Sequence, residues 1–207
     1  MEQDPTAMNN FDEFNGKPFF DRAIFLTGKV DAQNALGITS KILQYTYINE
    51  RFPIVLFISS VGGELDSMWS IINLMNTVKT PIFTVVNGYA ASAAAFISIN
   101  ATKGKRFIFP NSYIMLHEIS YGFWGKYTDM TIMNNRVDYE LEQIKKLVTN
   151  KTKIPKGKIQ DFVSNKDKYF TVNEALEYGL ADSIIDKTNM RDILSIMKLP
   201  AGTPEQA

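Results

Sequence analysis

The chain has 207 residues, 45% hydrophobic and 12% aromatic, enough for one packed domain and too apolar for wholesale disorder. Lys+Arg and Asp+Glu each total 22, so no net field recruits nucleic acid or an anionic membrane. With no cysteine and a single histidine, His117, disulfides, thiol catalysis and Cys- or His-rich metal sites are excluded, and neither metal nor cofactor is expected.

Residues 1–20 mix Asn, Asp, Glu and Pro with Phe11, Phe14, Phe19 and Phe20 and read as an irregular N-terminal arm. No run reaches membrane-span length, and the N-terminus has no basic stretch leading into an apolar one. A soluble, cytoplasmic chain is therefore expected. AIFLTG (23–28) predicts a strand ending in a glycine turn, and residues 31–48 place Ala35, Ile38, Ile42 and Tyr45 at helical spacing. PIVLFIS (53–59) is a continuous apolar run, as in a strand buried on both faces. LDSMWSIINLMNTV (65–78) predicts a helix, PIFTVV (81–86) another buried strand, and Ala90 to about Asn100 a short helix. RFIF (106–109) and YIML (113–116) predict two further strands.

Met130, Met133, Val137, Leu141, Ile144 and Val148 then repeat at gaps of three and four, predicting an amphipathic helix over about 128–150. It is long against a typical ~11–12 residues, which suits a helix that projects toward a partner or one that crosses the domain. The run Lys151, Lys153, Lys156, Lys158 reads as a solvated helix end and loop. Thr171 and Glu174 have capping-box spacing, and Gly179 suits the stop after ALEY. Strand–helix alternation of this kind predicts an α/β domain with a mostly parallel sheet over 21–188. A C-terminal helix and frayed tail are expected over 189–207.

Neither G-x-x-x-x-G-K-[ST] nor G-x-G-x-x-G occurs, so ATP-driven work would need another polypeptide. In NGYAASAAAFISIN (87–100), Ser92 stands in the middle of an alanine run after a buried strand and a Gly88 turn. A serine in the first turn of a helix lies among unpaired amides at the positive end of the dipole, where an oxyanion is stabilised. It needs a base, and His117 at the end of YIML is the sole imidazole. Val61-Gly62-Gly63-Glu64 after PIVLFIS lets backbone amides approach a ligand without a Cβ in the way. Each feature also has an ordinary reading: a helix-packing serine, a tight turn, a satisfied strand-end histidine. Their shared place at the ends of neighbouring strands, where α/β sheets hold ligands, brings the functional reading level with the ordinary one and leaves both open.

These segments resemble the Clp protease proteolytic subunit, the caseinolytic serine peptidase family. The resemblance covers about Ala23 to Ile185 through AIFLTGKVD, FISSVGGELDSMWSI, NGYAASAAAF, KGKRFIFPNSYIMLHE and FTVNEALEYGLADSII. It implies a crotonase-like fold and a Ser–His–Asp endopeptidase with Ser92 as nucleophile, His117 as general base and Asp167 in NKDKYFT as the orienting acid. On the residues alone, Asp129, Asp138, Asp161 and Asp182 are as available as Asp167. The resemblance further implies an oxyanion hole from the amides of Gly63 and Ala93. It also implies a homo-oligomer of two stacked heptameric rings joined through the long helix, and a separate AAA+ unfoldase that feeds in unfolded polypeptides.

The chain resembles a divergent member, with a phage-encoded one left open. Val61 replaces the usual Pro, Ala93-Ala94 replaces Met-Gly, Glu118-Ile119 follows the histidine in place of Gln-Pro, and Lys166 replaces an Arg whose bidentate fork Lys lacks. Phe123 and Trp124 are candidates for the substrate groove or a subunit contact. Two other readings share these motifs: a non-catalytic structural ring subunit, and another enzyme of the fold, such as a capsid-maturation peptidase or a crotonase-type acyl-CoA enzyme.

Overall fold

The computed structural model describes residues 22–122, 126–165 and 167–197. The expected arm, Phe123, Trp124, Lys166 and the tail from Leu199 lie outside the described residues. A seven-stranded sheet runs in the order β1-β2-β3-β4-β7, with β5 beside β3 and β6 beside β5. These strands are β1 (Ala23–Val30), β2 (Ile54–Gly63), β3 (Ile82–Ala91), β4 (Arg106–Ile108), β5 (Tyr113–Leu116), β6 (Lys168–Phe170) and β7 (Ser183–Ile184). Every pairing is parallel except β5 with β6, so this is the mostly parallel α/β sheet that strand–helix alternation predicts.

The central strands are apolar on both faces because both are covered. On one side α1 (Ala32–Ile48), α2 (Leu65–Thr77) and α3 (Ala93–Ile99) bury Ile38, Ile42, Ile71 and Phe96 against Ile24, Leu26, Leu56 and Ile58. On the other, α7 (Lys187–Ile196) and the residue after it bring Ile193 and Met197 onto Val55, Phe57, Phe83 and Val85. Arg22, fully buried just before β1, donates to the carbonyls of Tyr45, Asn49, Phe52 and Pro53. Two of these close α1, where the last carbonyls and the negative dipole end accept a cation without a carboxylate. Sequence periodicity gives no sign of this clamp.

The long helix is α4 (Tyr127–Lys151), one residue longer at each end than its spacing predicts. Its apolar stripe is graded: Ile144 and Val148 are buried, Val137 and Leu141 half-buried, Met130 exposed. The helix therefore leaves the core as it runs toward its own N-terminus. Trp69 Nε1 donates to Glu140 at 2.5 Å and Arg136 pairs with Asp66 at 2.5 Å, tying α4 to α2. After it come α5 (Lys156–Gln160), a single π-type turn over Asp161–Asn165, and α6 (Val172–Glu177). Thr171 and Glu174 form the expected capping box, and Gly179 ends α6 at φ 67°.

Three boundaries differ from expectation. β1 does not end in a turn at Gly28 but passes through a register irregularity to Val30. The Gly-Gly pair is the end of β2, not a turn after it. β3 runs on through Asn87-Gly88-Tyr89 to Ala91, so the following helix starts at Ala93 and not at Ala90.

Candidate active site

Gly88 is needed for closeness, not for a turn: a Cβ there would sit 2.7 Å from Ser59 Oγ on the adjacent strand. With β3 thus held against β2, its last residues pair with β5, Tyr89 opposite Tyr113 and Ala91 opposite Met115. The chain then reverses into α3 at Ser92. This residue has φ 56° and ψ −127° and is the single non-glycine with positive φ among the described residues. Its amide donates to Met115 O at 2.9 Å, and its carbonyl accepts from Ala95 N at 2.9 Å and Phe96 N at 3.3 Å. Backbone of this kind persists when its surroundings over-determine it, here a strand on one side and a helix start on the other. The result is a sharp strand–helix elbow that lifts the side chain clear of the sheet. Ser92 is thus the N-cap of α3, one position before the first turn in which sequence places it.

His117 directly follows β5 and brings its Nε2 to 2.7 Å from Ser92 Oγ. Both residues are half-buried. The contact follows from the pairing just described, since β5 must lie alongside β3 for its last residue to reach the elbow.

Asp167 immediately precedes β6. In the antiparallel β5–β6 register Leu116 faces Lys168, so one step further His117 and Asp167 stand opposite each other. Asp167 is exposed, and among the described residues its carboxylate makes no hydrogen bond to His117. Of the competing carboxylates, Asp182 is taken: its oxygens hold Arg106 Nη2 at 2.5 Å and Arg106 Nε at 2.9 Å. Burial pushes Asp182 up, but the Arg106 bonds outweigh it and the carboxyl is held below its ordinary value. Asp129 and Asp138 lie on α4, and Asp161 precedes β6 by seven residues. Structure therefore brings Ser92 and His117 together, sets Asp167 across from His117 by register, and leaves the other four elsewhere.

The start of α6 clasps β6. Lys168 Nζ pairs with Glu174 Oε1 at 2.6 Å, while Glu174 Oε2 accepts from Thr171 N and Thr171 Oγ1, both at 2.9 Å. The Lys168 bond, followed by the two from Thr171, holds the Glu174 carboxyl at about 2.

The glycines bear directly on the elbow. Gly62 has φ 87°, and a Cβ on it would lie 2.5 Å from Ala91 O, 2.7 Å from Ser92 Cβ and 2.9 Å from Ala93 N. Gly63 has φ 154°, and its Cβ would collide with the Val30 carbonyl. Each therefore allows a close approach, Gly62 to Ser92 and Gly63 to β1. Gly62 N donates to Ser60 Oγ at 3.1 Å, and Glu64 N to Val30 O at 2.7 Å. Ala93 N lies beside Gly62 at the open end of α3, where the first amides have no intrahelical partner. Sequence reading finds the Gly-Gly pair but not its contact with Ser92, because that contact depends on how far β3 extends. Glu118 and Ile119 follow the histidine as an exposed and a half-buried residue.

A family model described as Clp protease matches residues 8–188, which spans all of these positions. The chain belongs to the Clp protease family. Clp proteases are generally serine peptidases and typically form oligomeric rings. Family and fold are both those the sequence resemblance implies. Among the described residues no helix is long and apolar enough to cross a membrane.

Proposed function

We propose that the chain is a serine endopeptidase of a self-compartmentalised ring assembly, acting on unfolded polypeptides and peptides in the cytoplasm. The observation that carries this is the 2.7 Å approach of His117 Nε2 to Ser92 Oγ at a strained elbow. A serine hydroxyl is unreactive at neutral pH unless an adjacent base takes its proton, and this is the geometry for that transfer.

In this reading Ser92 Oγ attacks the scissile carbonyl as its proton passes to His117 Nε2. The oxyanion is held by the amides of Gly63 and Ala93, and the imidazolium then protonates the leaving amine. Water, activated by the same imidazole, releases the acyl group from Ser92. Asp167 is the acid this reading assigns to orient the imidazole, by turning its exposed carboxylate across the β5–β6 pair onto His117. The exposed N-terminal half of α4, with Met130 and Ile132, supports a ring-to-ring contact, and two stacked heptameric rings are what the family resemblance implies for it. The missing phosphate-binding motifs support a separate AAA+ unfoldase as the source of unfolded substrate.

One observation favours a non-catalytic ring subunit: Asp167 is exposed and, among the described residues, its carboxylate makes no hydrogen bond to His117. Labelling with a fluorophosphonate probe, read by peptide mass spectrometry on wild type and Ser92→Ala, separates the two. A single adduct on the Ser92 peptide, absent from the variant, is the result the peptidase reading requires. No adduct on assembled protein overturns it in favour of the structural subunit.

A further inference from the structure

One carboxylate spans the whole of β6. The strand is three residues long, Lys168–Phe170, and among the described residues it pairs with β5 alone. Its ladder ends with Lys168 opposite Leu116, so Asp167 stands just past the last paired residue. Register decides whether Asp167 can serve, because side chains alternate between the two faces of a sheet. Phe170 is fully buried and Lys168 shares its face, which leaves Tyr169 and Asp167 on the other. Leu116 is fully buried as well, so His117, next in the chain, follows the alternation onto that same other face. A slip of one residue would turn Asp167 away from His117. Burial normally fixes register, but within β6 only Phe170 is buried, and it is a single anchor.

Glu174, in the first turn of α6, adds the rest. Its Oε1 accepts from Lys168 Nζ at 2.6 Å, and its Oε2 accepts from Thr171 N and Thr171 Oγ1, both at 2.9 Å. The carboxylate thus grips β6 at its first residue and again one residue past its end. Lys168 Nζ also lies 5.2 Å from the centre of the Phe170 ring, which packs edge-on against Phe162 and Tyr178. α6 is itself fixed to the body of the domain, with Ala175 fully buried and Lys153 N donating to Tyr178 O at 2.7 Å. A lone exposed ion pair holds little; here both side chains are 32% exposed and share one network with Thr171. The capping box needs only Thr171 and Glu174, so the bond to Lys168 is additional to it.

We infer that Glu174 and Lys168 are positioning residues for the proposed triad: their bond locks β6 in register on β5 and so keeps Asp167 on the face of His117. They act through Asp167, not on the reacting atoms. The inference rests on the peptidase reading above and adds to it what holds an exposed aspartate at a strand end within reach of the imidazole.

The test is steady-state peptide hydrolysis by the full-length protein, with the fold of each variant checked by circular dichroism. Glu174→Gln keeps an acceptor for the capping box but loses the carboxylate that holds Lys168. Lys168→Met breaks the same bond from the other end, and Lys168→Arg keeps it. The first two are expected to lower kcat by up to about 10²-fold with KM unchanged, the cost of a displacement of about 1 Å. Lys168→Arg is expected to keep most of the wild-type kcat. In an Asp167→Asn background, Glu174→Gln is expected to lower kcat no further, because the group it positions is already gone. Unchanged kcat in Glu174→Gln and Lys168→Met, equal losses with and without Asp167, or a Lys168→Arg as slow as Lys168→Met overturns the inference. A wild type that neither hydrolyses peptide nor labels at Ser92 removes the peptidase reading and this inference with it. An active wild type with unaffected variants removes this inference alone.

Discussion

The nucleophile elbow and the Asp167 margin belong to one site but are held very differently. The elbow ends the ten-residue strand β3 with β2 on one side and β5 on the other; Ser92 is tied by backbone bonds to Met115, Ala95 and Phe96, and Gly62 packs against its Cβ. The margin is a three-residue edge strand, paired on one side only, with its aspartate exposed. Where neighbours over-determine the backbone, a costly conformation is kept and its hydroxyl is pre-aimed at the base. Where one short pairing does the holding, a side chain stands in register without closing its bond. The Ser92–His117 half is therefore built into the fold, and the Asp167 half depends on an edge.

The largest break in this comparison is at the margin. Asp167→Asn leaves the elbow intact and is expected to lower peptide hydrolysis by up to about 10⁴-fold, the loss seen when a triad imidazole is no longer correctly oriented. Steady-state kinetics check it; unchanged turnover would mean that Asp167 never engages His117. Next comes the elbow itself. Gly62→Ala meets a forbidden φ costing about 1–2 kcal/mol and an overlap costing about 1–3 kcal/mol, to be read as a lower denaturant midpoint with loss of Ser92 labelling.

A smaller effect separates strain from chemistry. Ser92→Gly removes the nucleophile and relaxes the positive φ, so it is expected to be about 1 kcal/mol more stable than Ser92→Ala, which keeps the strain. Equal thermal midpoints would show that the elbow is not strained. The smallest effect sharpens the margin. The Glu174 carboxyl stands at about 2 against an ordinary 4.5, held down first by Lys168. A depressed acid contributes stability above its unfolded value and loses it as pH falls through the folded one. The stability advantage of wild type over Glu174→Gln should thus be full above about 4.5 and vanish toward 2, in thermal melts across that window.

Much of the architecture is legible in sequence. Continuous apolar runs mark β2 and the start of β3, and gaps of three and four mark α1, α2 and α4, because burial imposes those periods directly. What escapes is set at a distance. Asn87-Gly88 looks like a turn, yet Gly88 is there to let Ser59 approach, and so β3 runs on to Ala91, five residues past the end of the apolar run at Val86. The π-type turn and β6 carry no period, being five and three residues long. Ser92 and His117 stand out as the lone hydroxyl in an alanine run and the sole imidazole. Asp167 has no such mark among 22 acidic residues, since what distinguishes it is a pairing with a strand some fifty residues away. Only the family pattern points to it from sequence.

The central claim is that His117 activates Ser92, and the rate of fluorophosphonate labelling at Ser92 in wild type and in His117→Ala tests it most directly. General-base assistance of this kind is worth about 10²–10⁴-fold, so labelling of the variant should slow by at least about 10²-fold while its fold is retained. Labelling at the wild-type rate without the imidazole would contradict the account.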